Sequence, residues 1–129
     1  MPKALDIHYA IKANPLPELL AAIAPLVDGL DVASAGELAH ANDVMAAERI
    51  SFAGPGKRDA ELDAAIRAGA TINLESFAEA QRALAIGQTL GVKPRLAVRV
   101  NPDFELRGSG MKMGGRASPF GVETAHVPD

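Results

Sequence analysis

The chain contains no cysteine. A disulfide framework, a Cys-ligated zinc or iron–sulfur site and a thiol nucleophile are therefore excluded over these 129 residues. No apolar run approaches the roughly 20 residues of a membrane span, and no signal-peptide pattern opens the chain. Aromatic residues make up only 4% and no basic block occurs, so a nucleic acid finds neither a stacking platform nor an electrostatic footprint. What is present is 48% hydrophobic and 22% charged residues at a formal net charge of −3. That is enough apolar material for a core, and it rules out wholesale disorder. The length fits one ordinary domain or a piece of a larger one. The expectation is a soluble, cytoplasmic α/β protein with neither a nucleic-acid nor a membrane partner.

Short β-branched runs alternate with Ala/Leu/Glu-rich stretches. The runs are Ile7–Lys12, Leu30–Ser34, Ile50–Ala53, Thr71–Glu75 and Arg95–Val100. Their centres, Ala10, Val32, Phe52, Leu74 and Val98, are 22, 20, 22 and 24 positions apart. Strands recurring at that interval with helices between them indicate parallel βα units. Leu16, Leu19, Leu20, Ile23 and Val27 form a helical stripe, with Pro17 suited to a first turn. Ser34-Ala35-Gly36-Glu37 and Ser76-Phe77-Ala78-Glu79 are S-x-x-E capping boxes, each directly after a strand. Asp59 is expected to cap a third helix that contains Leu62 and Ile66 and stops near Gly69. A fourth, with Phe77, Ala80 and Leu84, should stop near Gly91. Gly108, Gly110, Gly114 and Gly115 mark 103–119 as a long loop.

Alternate residues of a strand face opposite sides of its sheet. One side collects Ile7, Tyr9, Ile11, Leu30, Val32, Ile50, Phe52, Ile72, Leu74, Leu96, Val98 and Val100, a surface for helices to cover. The other collects His8, Ala10, Lys12, Asp31, Ala33, Ser51, Ala53, Asn73, Glu75, Ala97, Arg99 and Asn101. A fully buried parallel strand is apolar on both sides. Here the second side is small and polar, and its charges lie toward the carboxyl ends of the strands. That is where a βα barrel or an open α/β sheet keeps its active site.

Lys12 closes the first run. On spacing alone it is either a lysine whose ammonium snorkels out of a strand end or an amine that condenses with an aldehyde cofactor. Apolar walls and a neighbouring cation lower the pKa of a lysine, and the neutral amine is the nucleophile. Gly54-Pro55-Gly56-Lys57 lacks the G-x-x-x-x-G-K-[ST] spacing of a phosphate loop, and a strand-to-helix turn accounts for it. The glycines of 108–115 suit a flexible connection better than a phosphate cradle. His8 reads as a satisfied interior histidine, and no metal site is expected.

Tyr9-Ala10-Ile11-Lys12-Ala13-Asn14 resembles the YAxKAN lysine box of the fold-type III pyridoxal-phosphate enzymes, which include alanine racemase and the ornithine, arginine and diaminopimelate decarboxylases. The likeness continues in order. Leu30-Asp31-Val32-Ala33-Ser34-Ala35-Gly36-Glu37-Leu38 resembles the decarboxylases' D-[VAC]-[AS]-S-x-x-E-[LI] stretch. Ile72-Asn73-Leu74-Glu75-Ser76 resembles their I-N-V-E-S, Arg99-Val100-Asn101-Pro102 their R-[VI]-N-P, and Ser118-Pro119-Phe120-Gly121 their S-K-F-G. The 103–115 segment is similar to a narrower subgroup, associated with exosortase loci or acting on an acyl group borne by a carrier protein. Five ordered motifs are far more specific than any one, and they span essentially the whole chain.

The resemblance implies an α/β fold: part of a (β/α)8 TIM barrel of the alanine racemase type, with about five parallel strands and four helices. It implies pyridoxal 5'-phosphate held by Lys12 as an internal aldimine, with Asp31 beside that lysine and Arg99 close to the cofactor ring and its phenolic oxygen. The competing reading of Asp31 and Arg99 is a charge pair inside the barrel. Glu37 matches a nearby acidic position, but its capping role accounts for it. Glu75 and Asn73 point into the same space without a catalytic step. Pro119 stands where the family has a lysine, so that side chain's contact is not carried over.

Five strands do not close a barrel that needs eight and roughly 250 residues. The expectation is a fragment: 1–102 the first half of the cofactor-binding barrel, 103–129 the glycine-rich loop and the start of the next βα unit. The family's stacking histidine, phosphate loop, pyridine-nitrogen partner and C-terminal β-domain would lie outside it. The parent would be a homodimeric amino-acid decarboxylase of the diaminopimelate or ornithine type, taking a free amino acid or one on a carrier protein. The isolated chain should bind cofactor weakly without turning over, and its open last strand should invite association. The competitors are an amino-acid racemase with the same lysine box, a non-catalytic homologue, and a truncated product without activity. The S-A-G-E-L and I-N-L-E-S stretches favour the decarboxylase branch.

Overall fold

Five short strands, β1 (His8–Ala10), β2 (Gly29–Val32), β3 (Ile50–Phe52), β4 (Thr71–Leu74) and β5 (Arg95–Val98), form one sheet in sequence order. Every neighbouring pair is parallel. The computed structural model describes residues 5–101 and 121–123, so the glycine-rich 103–119 lies outside the described residues. Parallel neighbours need a crossover. It is supplied by α1 (Pro17–Ile23), α2 (Ala35–Val44), α3 (Asp59–Ala68) and α4 (Phe77–Leu90). Strand following strand with one helix between is the wall of a βα barrel. Beyond β5, β6 (Val100–Asn101) leaves this sheet and pairs in parallel with β7 (Val122–Glu123). Arg99 is the point of departure: its N–H donates to the Leu74 carbonyl (3.0 Å), and its carbonyl accepts from the Val122 N–H (2.8 Å).

The apolar side of the strands is the core. Leu30, Val32, Ile50, Phe52, Ile72 and Leu74 are buried under Leu20, Leu38, Ala41, Leu62, Ala65, Ile66 and Ala83 of the helices. Removing that surface from water is the main stabilising term. The outermost strand departs from the expected pattern. Val98 and Val100 are exposed, because a barrel strand's outer face is covered by helices on both flanks. Among the described residues, β5 has only α4.

Helix ends follow the local chemistry. Ser34 and Ser76 each accept the backbone N–H three residues on (3.2 Å). The paired glutamates reach one residue further back than a capping box requires. Glu37 accepts from the Ala33 N–H (2.7 Å) and Glu79 from the Glu75 N–H (2.9 Å). Each thus ties the end of a strand to the start of the next helix. Gly69 and Gly91 end α3 and α4 in the left-handed conformation, as glycine allows.

Two expectations about the helices are corrected. Arg58, not Asp59, is the cap of α3; Asp59 is its first residue and pairs with Arg82 (2.7 Å). Phe77 and Leu84 do not face the core: both are exposed, and α4 buries Glu79, Ala83 and Gly87 instead. A Cβ at Gly87 would lie 2.8 Å from Pro94 and from the Val92 carbonyl. The helix lies too close to its following loop there for a larger residue.

Glu61 accepts the Arg58 N–H (3.0 Å), and this bond holds its carboxyl below the usual range. A depressed folded-state pKa gives stability that is full above the unfolded value, about 4.3, and is lost as pH falls through the folded one. Glu61→Gln should therefore cost about 0.5–1 kcal/mol at pH 7. Urea denaturation of the two proteins should converge as pH falls below about 4.

Candidate active site

The YAIKAN hexapeptide makes a rigid turn. β1 ends at Ala10, and Ile11–Ala13 is a single 3-10 turn, so Lys12 stands just past the strand rather than in it. Ile11, completely buried, anchors the turn in the core. The Asn14 N–H bonds back to the Ile11 carbonyl (3.1 Å), the Tyr9 hydroxyl donates to the Asn14 carbonyl (3.3 Å), and the Asn14 side chain accepts from the Leu16 N–H (3.1 Å). Tyr9, Ile11 and Asn14 thus hold the turn in place. Lys12 projects from it exposed, and among the described residues no hydrogen bond or ion pair engages its amine.

All five strands run the same way, so the Lys12 turn, Asp31 and Arg99 share the carboxyl end of the sheet. Asp31 and Arg99 do not pair with each other as the charge-pair reading would have it. Asp31 takes His8 Nδ1 on the adjacent strand (3.3 Å), and Arg99 takes Glu75 (3.2 Å). His8 is half-open to solvent rather than interior, and its ring lies flat over Gly29. A Cβ at Gly29 would come within 2.4 Å of that ring, so glycine is what admits the histidine. The same face carries Ala10, Ala33, Ala53 and Ala97, none of them buried. Barrel interiors are ordinarily filled by large branched side chains. Alanines at the carboxyl rim leave room for a flat ring instead.

Two acidic residues organise this rim: Glu75, which carries no step in the sequence reading, and Glu79, which that reading makes a helix cap only. The Glu75 carboxylate is buried and accepts three donors. One oxygen takes the Gly54 N–H (3.1 Å) and the Arg99 guanidinium (3.2 Å), the other the Gly121 N–H. Behind it lies a buried ion pair, Lys57 with Glu79 (3.2 Å). The Lys57 ammonium also donates to the carbonyls of Gly54 (2.8 Å) and Asn73 (2.6 Å) and sits 5.9 Å from the Phe52 ring centroid. The turn reading of Gly54–Lys57 is right for the backbone and misses its lysine, a buried brace. The available signal was the S-x-x-E glutamate three residues into α4, whose carboxylate oxygen takes both the Glu75 N–H and the Lys57 ammonium. Among the described residues, no cluster of three His, Asp or Glu is placed to hold a metal, and no helix is long and apolar enough to cross a membrane.

The result is half of a parallel βα barrel whose carboxyl rim holds one projecting lysine, a small-residue floor and a braced arginine. These features define the class of fold-type III barrels built around a lysine-bound cofactor. The chain belongs to the family of pyridoxal-dependent decarboxylases: it matches their pyridoxal-binding domain over residues 1–128. It is 35% identical, over its whole length, to a 2-[(L-alanin-3-ylcarbamoyl)methyl]-2-hydroxybutanedioate decarboxylase of Staphylococcus aureus, covering 32% of that protein. It is also 35% identical, over 93% of its length, to the L-glutamyl-[BtrI acyl-carrier protein] decarboxylase of Niallia circulans, covering 28% of it. Among solved structures, Helicobacter pylori diaminopimelate decarboxylase complexed with L-lysine superposes with a TM-score of 0.86 at 31% identity, over 95% of this chain and 32% of that one. The chain therefore spans about a third of the length of the relatives it matches. Its five strands and four helices are the first part of their alanine racemase-like barrel.

Proposed function

We propose that this chain is the lysine-bearing first half of the cofactor barrel of a pyridoxal-phosphate-dependent amino-acid decarboxylase. The observation that carries the reading is Lys12. It is a primary amine on a turn locked by Ile11, Tyr9 and Asn14, projecting without a partner at the carboxyl rim of a parallel sheet. The donor set fits the cofactor: an amine for its aldehyde, an open floor of alanines for its ring, and a guanidinium for its phenolic oxygen. Bound there, pyridoxal phosphate supplies an electron sink for the pair left behind when carbon dioxide departs.

The chain's own residues then have these roles. Lys12 would hold the cofactor through its amine, and once a substrate amine took its place it would be an amine available to move a proton. In a closed eight-stranded barrel the first and fifth strands stand on opposite walls, so Arg99 on the β5 side faces the Lys12 turn across the lumen. Asp31, steadied by His8, keeps a carboxylate on the Lys12 side. The substrate is an amino acid, free or carried on a carrier protein, and the working enzyme is a cytoplasmic homodimer that contains the rest of the barrel.

The test is product analysis on the full-length enzyme. Diaminopimelate, ornithine and a carrier-bound aminoacyl substrate are offered in turn, and carbon dioxide and α-carbon configuration are measured. Carbon dioxide release with one amine product per turnover is the expected result. Inverted amino acid without carbon dioxide would make the protein a racemase, and neither product would leave a non-catalytic homologue.

A further inference from the structure

We propose that Glu75 is a positioning residue, setting both the place and the net charge of Arg99 at the cofactor end of the barrel. The proposal deepens the reading above and rests on it for the cofactor, but the contact itself stands on geometry alone. Glu75 follows β4 directly, and its carboxylate is almost wholly enclosed, with 3% of the side chain exposed against 30% for Arg99. It is the inner member of the pair, and the guanidinium is the member that reaches the lumen. Its two oxygens serve three donors from three separate strand boundaries: Gly54 after β3, Arg99 after β5, and Gly121 before β7. Its own N–H is fixed in turn by Glu79, which Lys57 holds. A braced main chain thus carries a braced carboxylate, which carries the arginine.

Charge is the second half of the argument. A guanidinium is charged at every accessible pH, and a bare one beside a phenolic oxygen would pull that oxygen strongly toward the anion. Backed by Glu75, the pair is neutral as a unit and presents directed N–H donors. A glutamine at 75 keeps the shape but has one acceptor oxygen for three donors and no charge. At least one donor must be lost, and Arg99 loses the carboxylate charge that lies beside it.

The experiment is a double-mutant cycle on the 129-residue chain with pyridoxal phosphate as the probe. The variants are Glu75→Gln, Arg99→Gln and the pair. Cofactor affinity is read by fluorescence titration, and the Arg99 side-chain and Gly121 amide signals by NMR. Glu75→Gln should weaken cofactor binding by about 10-fold or more, shift the Arg99 side-chain signal, and shift the pH midpoint of the bound cofactor's absorbance downward. The affinity loss should vanish on the Arg99→Gln background, because it acts through Arg99. A merely structural tie would lower the melting temperature and leave that pH midpoint in place. Additive losses, or an Arg99 signal unchanged in Glu75→Gln, overturn the proposal. If Glu75→Gln does not fold, Glu75→Asp, charged but one methylene short, takes its place in the cycle: affinity and the Arg99 signal should change while the pH midpoint, which follows the charge, stays near that of the wild type. A wild-type chain that takes up no cofactor at Lys12 overturns the role given to Lys12 instead, and the NMR arm still decides whether Glu75 holds Arg99.

Discussion

Lys57→Met should destabilise the chain by about 3–5 kcal/mol, the range for removing one partner of a buried ion pair. Lys57 is only 3% exposed, and all three of its ammonium hydrogens are used: on the Gly54 carbonyl, the Asn73 carbonyl and Glu79. Methionine fills the volume and keeps contact with Phe52, so the loss isolates the charge and the hydrogen bonds. What stays behind is a Glu79 carboxylate, 2% exposed, with one oxygen already lacking a hydrogen-bond partner. Its remaining support is the Glu75 N–H. Guanidinium denaturation at pH 7 measures the loss. Adding Glu79→Leu should recover part of it, since an apolar pair of similar volume tolerates burial better than a widowed charge. Recovery will be incomplete, because the Glu75 N–H and two carbonyls lose their partners. A loss below about 1 kcal/mol, the scale of an exposed pair, would show that water reaches the site.

The contrast between what was legible in the sequence and what was not follows the reach of each interaction. The strands were legible because β-branched runs recur at a fixed interval, and the buried face because side chains alternate: Leu30, Val32, Ile50, Phe52 and Ile72 all lie where parity puts them. Gly69, Gly91, Ser34 and Ser76 act within one helical turn of themselves, so their caps could be read locally. Lys57 could not. Its partners Asn73 and Glu79 are 16 and 22 residues away, and no local pattern separates a buried lysine in a glycine turn from a solvated one. Glu75 was grouped with Arg99 on one side of the sheet, and the two do pair, but its donors lie 21, 24 and 46 residues off. Asp31 and Arg99 share a rim and opposite charge, which suggested a pair; nearer partners claim each of them. Phe77 and Leu84 have helical spacing without being core, because α4 turns Glu79, Ala83 and Gly87 inward instead. Periodicity reports which residues share a face. It does not report which face the neighbours leave room for.

Lys12→Arg should abolish covalent capture of pyridoxal phosphate at this site. Arginine keeps the positive charge and most of the length, but a guanidinium has no free amine to condense with an aldehyde and stays protonated. The backbone of the turn should not notice, because Ile11, Tyr9 and Asn14 fix it without the lysine side chain. Denaturation midpoints of the two proteins should therefore agree within the roughly 0.5 kcal/mol of a surface substitution. The measurement is borohydride reduction of the cofactor-treated chain followed by peptide mapping. In the wild type the pyridoxyl label should concentrate on Lys12. Lys93 is the internal control, exposed and ahead of β5, at the other end of that strand from Arg99, and Lys57 is buried with every ammonium hydrogen engaged. In the variant the label should fall to the level of Lys93. The full-length enzyme with the same change should lose turnover by at least about 10²–10⁴-fold, the share assignable to proton transfer alone. Equal labelling of Lys12 and Lys93 in the wild type would mean that this amine is an ordinary surface lysine, and the cofactor would have to be held by another group.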